Sequence, residues 1–150
     1  MLFSNPITFV LALLLTHVAH ALPHVESTTR ATTVRATFDT AYDSAGGSLN
    51  GVACSDGANG LVSRFPTFGN IPSFPYIGGA PGVKWNSPDC GGCWQLTNAA
   101  TGAWIRMTAV DGTATFNLAT VAFEALNGGQ IGQGVLDVVA EQVSPALCRL

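Results

Sequence analysis

The stretch Trp85-Asn-Ser-Pro-Asp-Cys90-Gly-Gly-Cys93-Trp94 decides how the rest of the chain reads. It sets two cysteines three positions apart and runs on into an alternating segment, Cys93-Trp-Gln-Leu-Thr-Asn98. A redox pair of thioredoxin type calls for a strand–helix context, which no neighbouring pattern supplies. A zinc site calls for a second close Cys or His pair, which is missing. A structural role fits best: with Cys54 and Cys148 the count is four, an even number that reads as two disulfides in a small secreted domain. Four cysteines allow three pairings, and spacing does not choose among them. Each bridge is expected to contribute about 3–4 kcal/mol by restricting the unfolded chain.

Working outward, Cys93–Asn98 and Ala103–Val110 read as two strands of a hairpin joined by the turn Asn98–Gly102. Val34–Asp39 and Val135–Val143 are rich in β-formers and read as the first and last strands. Asn117 predicts the N-cap of a helix over Leu118–Leu126, with Leu118, Val121, Ala122 and Ala125 as its core stripe and Asn127-Gly128-Gly129 as its stop. Ser55-Asp56-Gly57 predicts a second, short helix covering Leu61, Val62 and Phe65. Pro66, Pro72, Pro75 and Pro81, with Gly69, Gly78, Gly79 and Gly82, exclude long regular structure from residues 66–82. Short strands, few helices and long Gly/Pro loops give a mainly β, small α+β domain. A closed barrel suits it, since closure removes exposed strand edges.

The N-terminus carries a different signal. Residues 7–15 are an apolar run, followed by the small-x-small pattern Ala19-His20-Ala21, so residues 1–21 read as a signal peptide cut after Ala21. No apolar stretch is long enough to span a membrane, which takes about 20 residues. Residues 22–33 read as a flexible Thr-rich segment, and residues 34–150 as the folded domain. Cleavage removes His17 and His20, and His24 lies in the Thr-rich segment, so the domain is free of histidine and serine–histidine catalysis is excluded. The chain has 150 residues, a formal net charge of -3, 10% charged residues and a single lysine, Lys84. Mean hydropathy is +0.34. Nothing clusters positive charge, so no nucleic-acid partner is expected.

The ordered set of motifs resembles the cerato-platanin family of small secreted fungal proteins. It comprises Phe38-Asp39, Val52-Ala-Cys54-Ser-Asp-Gly57, Asn59-Gly-Leu61, Phe65-Pro66-Thr67, Ile71-Pro72, Phe74-Pro75, Ile77-Gly78-Gly79, the Trp85–Trp94 stretch, Val110-Asp111 and Phe116-Asn117. The resemblance runs from about Val34 to Cys148. It implies a six-stranded double-ψ β-barrel with short helices, similar to expansins, and pairing of Cys54 with Cys90 and of Cys93 with Cys148. It implies a secreted, wall-associated protein that binds chitin or glucan oligomers, loosens cellulose without cutting it, elicits plant defence through a plant surface receptor, and assembles at interfaces. Phe38 stands where Tyr is common in the family, which removes a hydroxyl.

The resemblance places Asp39, Asp111 and Asn117 on the shallow face of the barrel as the polysaccharide-binding residues. The residues alone also allow a plainer role, Asp39 capping a turn and Asp111 opening one at Asp-Gly. A glycosidase needs two carboxyls in distinct roles, and a bare Asp pair is weak support for that. No catalytic residue, cofactor or metal is therefore expected. Trp94 and Trp104 read as core, whereas Trp85, in a loop, is a candidate for stacking on sugar. Three function classes follow: a non-hydrolytic wall-binding elicitor, a weak polysaccharide hydrolase, and an interface-active, self-assembling coat protein.

Overall fold

The computed structural model describes residues 33–150. The signal-peptide reading of residues 1–21 and most of the Thr-rich segment lie outside the described residues, and Thr33 already belongs to the first strand. Six strands follow in the order β1 (Thr33–Phe38), β2 (Ile77–Ala80), β3 (Cys93–Asn98), β4 (Trp104–Gly112), β5 (Phe116–Leu118) and β6 (Val135–Val143). One α-helix, α1 (Thr120–Leu126), lies between β5 and β6. The strands close into a barrel in the spatial order β1-β5-β2-β4-β3-β6. β1 with β5 and β2 with β4 are parallel, and the other four pairs are antiparallel. Closure leaves no strand with an unpaired edge.

Alternation explains the four longer strands. On β3 and β4, Leu96 pairs with Ile105 and Trp94 with Met107, all turned inward. Phe116 and Leu118 of β5 and Val138 of β6 complete the lining, with Phe123 and Leu126 of α1 beside them. Buried Asn98 is satisfied: its Nδ2 donates to the Leu126 carbonyl and its Oδ1 accepts from Ala100 N–H, tying the β3–β4 turn to the end of α1. A bulge interrupts the alternation of β4. Gly78 pairs with Ala109 but Gly79 pairs with Asp111, so Val110 is the extra residue. Ala109 and Val110 are both buried in succession, and Asp111 turns outward. The Val110 carbonyl displaced by the bulge accepts from Cys54 N–H.

Four local expectations are corrected. Asn117 does not cap the helix: it lies within β5, and α1 starts at Thr120. The first N–H of the helix is met from outside it, Asp43 accepting from both the Thr120 N–H and its hydroxyl at 2.7 Å. The buried stripe is Ala122, Phe123 and Leu126, while Val121 and Ala125 face solvent. The segment after Cys54 is a series of turns rather than a helix. Gly57 has φ +91°, and an added Cβ at Gly60 would collide with the Asp56 backbone, a packing no α-turn provides. Trp104 is not core: it is 56% exposed on the outer face of β4, with the Arg106 guanidinium 5.0 Å over its ring.

In the structure Cys54 is bonded to Cys90 and Cys93 to Cys148. The first bridge holds the turn-rich segment against the loop before β3. The second holds the C-terminal 3-10 turn (Pro145–Cys148) against the start of β3.

Candidate functional site: the outer row across Gly79

Sheet register builds the site. Gly79 of β2 pairs with Asp111 of β4 on one side and with Asn117 of β5 on the other, and Asn117 pairs in turn with Thr37 of β1. Neighbouring strands lie about 4.8 Å apart, so Asp111 and Asn117 flank a centre without a side chain at a span of about 10 Å. Thr37 and Asn117 face outward because their neighbours Ala36, Phe116 and Leu118 face in. The Thr37 hydroxyl donates to Asn117 Oδ1 at 3.0 Å. Gly79 itself is buried, because the Thr113 side chain fills the space a Cβ on it would need.

Asp111 is held by three donors. Its Oδ1 accepts from Ala53 N–H at 2.9 Å and from Gly112 N–H at 2.8 Å, and its Oδ2 accepts from the Tyr42 hydroxyl at 3.1 Å. Asp39 follows β1 directly: its N–H donates to the Leu118 carbonyl, and its Oδ1 accepts from Ala41 N–H, capping the 3-10 turn Thr40–Tyr42. That turn delivers Tyr42 to Asp111. Asp39 therefore caps, as the plainer reading had it, and also contributes charge near the Tyr42 hydroxyl.

Tyr42 went unnoticed in the sequence. Burial, followed by the charge and hydrogen bond of Asp111 and the charge of Asp39, pushes its hydroxyl well above the usual tyrosine range. A raised folded-state value means stability present below the unfolded tyrosine value of about 10 and lost as pH rises past it. We expect the urea midpoint to fall between pH 9 and 11.5, and the fall to shrink in Tyr42→Phe; equal slopes in both proteins would contradict the placement. Phe38 packs on Phe123 with ring centroids 5.3 Å apart, and the hydroxyl next to the aspartates is that of Tyr42.

Trp85 is 63% exposed, and its indole N–H donates to Asp56 Oδ1 at 2.6 Å, which holds the Asp56 carboxyl below its ordinary range. Its loop is fixed by Asn86, whose side chain accepts from Asn59 N–H. The loop abuts the Asp111 end of β4, since an added Cβ at Gly112 would meet the Val83 carbonyl. Among the described residues, no group of three or more His, Cys, Asp or Glu is placed to hold a metal ion. No helix among them is long and apolar enough to cross a membrane.

The family model named cerato-platanin matches residues 34–150. The chain belongs to the cerato-platanin family. It is 38% identical over 151 residues to the Aspergillus fumigatus protein "Allergen Asp f 15", covering 99% of this chain and 97% of that one. The crystal structure of cerato-platanin 2 from M. perniciosa is similar with TM-score 0.73 and 43% identity, covering 79% of this chain and all of the other. The solution structure of "the fungal elicitor Cerato-Platanin" is similar with TM-score 0.70 and 38% identity, covering 77% and 96%. A Clavibacter michiganensis expansin, 18% identical with TM-score 0.51 over 75% of this chain and 50% of that one, shares the fold. The cerato-platanin barrel of this chain is thus expansin-like, and its two disulfides are of the kind formed in oxidising compartments.

Proposed function

We propose that this cerato-platanin is a secreted wall protein that binds chitin or glucan oligomers through Asp111, Asn117 and Asp39 without hydrolysing them. The observation that carries the reading is the outer row Thr37–Asn117–Gly79–Asp111, which sets Asn117 and Asp111 on either side of a glycine covered by the Thr113 side chain. A sugar chain laid over Thr113, which covers Gly79, meets polar groups at both edges, with the exposed Trp85 ring in the adjoining loop. Such contacts compete with the hydrogen bonds between polymer chains, and so loosen a wall without breaking a glycosidic bond. Hydrolysis needs an acid that presents a proton to the leaving oxygen. Asp111 accepts from the Tyr42 hydroxyl and the Ala53 and Gly112 N–H groups, which suits an acceptor of sugar hydroxyls instead. The elicitor role is carried over from the relative described as a fungal elicitor.

Titration calorimetry with chitin oligomers tests the site. Loss of a hydrogen bond to a charged group is worth about 1.5–3 kcal/mol, so Asp111→Ala is expected to weaken affinity about tenfold to a hundredfold. Unchanged affinity would remove Asp111 from the site. A second reading, interface activity, is favoured by the exposed Trp85, Trp104, Val121, Ile131, Val135 and Leu147. Surface-tension lowering that survives Asp111→Ala would assign that activity to a different surface.

A further inference from the structure

A second polar groove opens away from the aspartate row. It has a volume of about 260 Å³ and is lined by Pro72, Ser73, Phe74, Tyr76, Arg106, Leu147, Cys148 and Arg149. Sequence gives no hint of it, because its two arginines come from distant segments. The Cys93–Cys148 bridge brings them together: Cys148 Sγ lies 3.4 Å from the Met107 carbonyl, next in the chain to Arg106, and Arg149 follows Cys148. Arg149 closes the 3-10 turn in a left-handed conformation with φ +67°. Leu150 lines a different groove, with Leu61 and Arg64.

The composition of the groove is unusual for this chain. The protein has six Lys and Arg and a net charge of -3, yet two arginines line this groove and no Asp or Glu does. The Arg106 Nε–H donates to Gln95 Oε1, a neutral partner, which leaves its cationic fork available at the rim. The remaining walls are the rings of Phe74 and Tyr76, the Pro72 ring and the Ser73 hydroxyl, which is paired with Thr108 Oγ1 at 2.7 Å. Trp104 continues the aromatic surface beyond Arg106. Arg106 and Asp111 are five residues apart on β4, about 16 Å along the strand, so the two sites are separate.

We propose that this groove binds a uronic acid unit of an acidic polysaccharide. A guanidinium fork matches a carboxylate in two parallel hydrogen bonds, which is why arginine suits this task better than lysine. The aromatic and proline walls match the apolar C–H face of a pyranose ring, which a bare inorganic anion does not have. The volume falls just below the usual small-molecule range of about 300–1,000 Å³, fitting one sugar unit with its chain continuing into solvent. The inference does not rest on the aspartate row. A protein with both sites bridges a neutral and an acidic wall polymer.

The test is calorimetry of the full chain with tri-galacturonate, its fully methyl-esterified form, and inorganic phosphate as competitor. The wild type binds the acid and not the ester, and equimolar phosphate does not displace it. The double variant Arg106→Gln/Arg149→Gln loses at least tenfold in affinity, and Arg149→Gln alone, at an exposed position, loses severalfold while keeping the native near-ultraviolet spectrum. Equal binding of the ester, unchanged affinity in folded variants, or displacement by equimolar phosphate would each overturn the proposal. Chitin-oligomer affinity, read on the same proteins, reports on the aspartate row independently.

Discussion

Replacing Cys93 and Cys148 together by alanine is expected to lower the unfolding free energy by about 4 kcal/mol. The bridge closes a loop of sequence separation 55, and loop-closure entropy of that size gives about 4 kcal/mol in the chain-entropy model. The loss is large against a typical total of about 5–15 kcal/mol. Both cysteines are buried, so the alanine variant also leaves their surroundings underfilled. The bridge is the covalent hold of the Pro145–Cys148 turn on the barrel, and with it the approach of Arg149 to Arg106. Urea unfolding of the double variant measures the change; a loss below about 1 kcal/mol would mean that strand pairing alone fixes the C-terminus.

Phe116→Ala is expected to cost about 3–5 kcal/mol. β5 is only three residues long, yet it joins β1 to β2 and closes the barrel. Phe116 is 2% exposed and packs edge-on to Trp94, with ring centroids 5.1 Å apart. Truncation removes the side chain that holds the shortest strand to the core and opens a cavity beneath the Asn117 end of the functional row. Phe116→Leu, which keeps more of the volume, is expected to lose less. Chemical unfolding checks both; an alanine variant within about 1 kcal/mol of the wild type would show that β5 is held by its backbone pairing instead.

The parts of the fold legible in sequence are those where side-chain alternation lasts. β1, β3, β4 and β6 are long enough to show it, and Val135–Val143 has the bounds that its composition suggests. β2 was hidden because Ile-Gly-Gly-Ala carries almost no side-chain pattern, and β5 because three residues make no period. The helix start slipped from Leu118 to Thr120 because the cap comes from Asp43, far away in sequence. Trp104 was misplaced because β4 alternates in favour of Ile105 and Met107, which turns Trp104 outward.

The candidate site was legible as residue types and not as an arrangement. Asp39, Asp111 and Asn117 were singled out, but simple alternation along β4 would put Asp111 inside with Ile105, Met107 and Ala109. The bulge at Val110 brings it out, and the pairing of Gly79 with both Asp111 and Asn117 makes the row. Neither event leaves a mark in the local sequence. Tyr42 gave no signal either, since its role depends on the turn that Asp39 caps.

The central claim is binding through the aspartate row without cleavage. One measurement tests it most directly: co-sedimentation of wild type and Asp111→Ala with insoluble chitin, with reducing ends assayed in the same tubes. The account predicts wild-type protein in the pellet, Asp111→Ala largely in the supernatant, and reducing ends at the level of chitin alone in both. Reducing ends released by the wild type, or equal sedimentation of the two proteins, would contradict it.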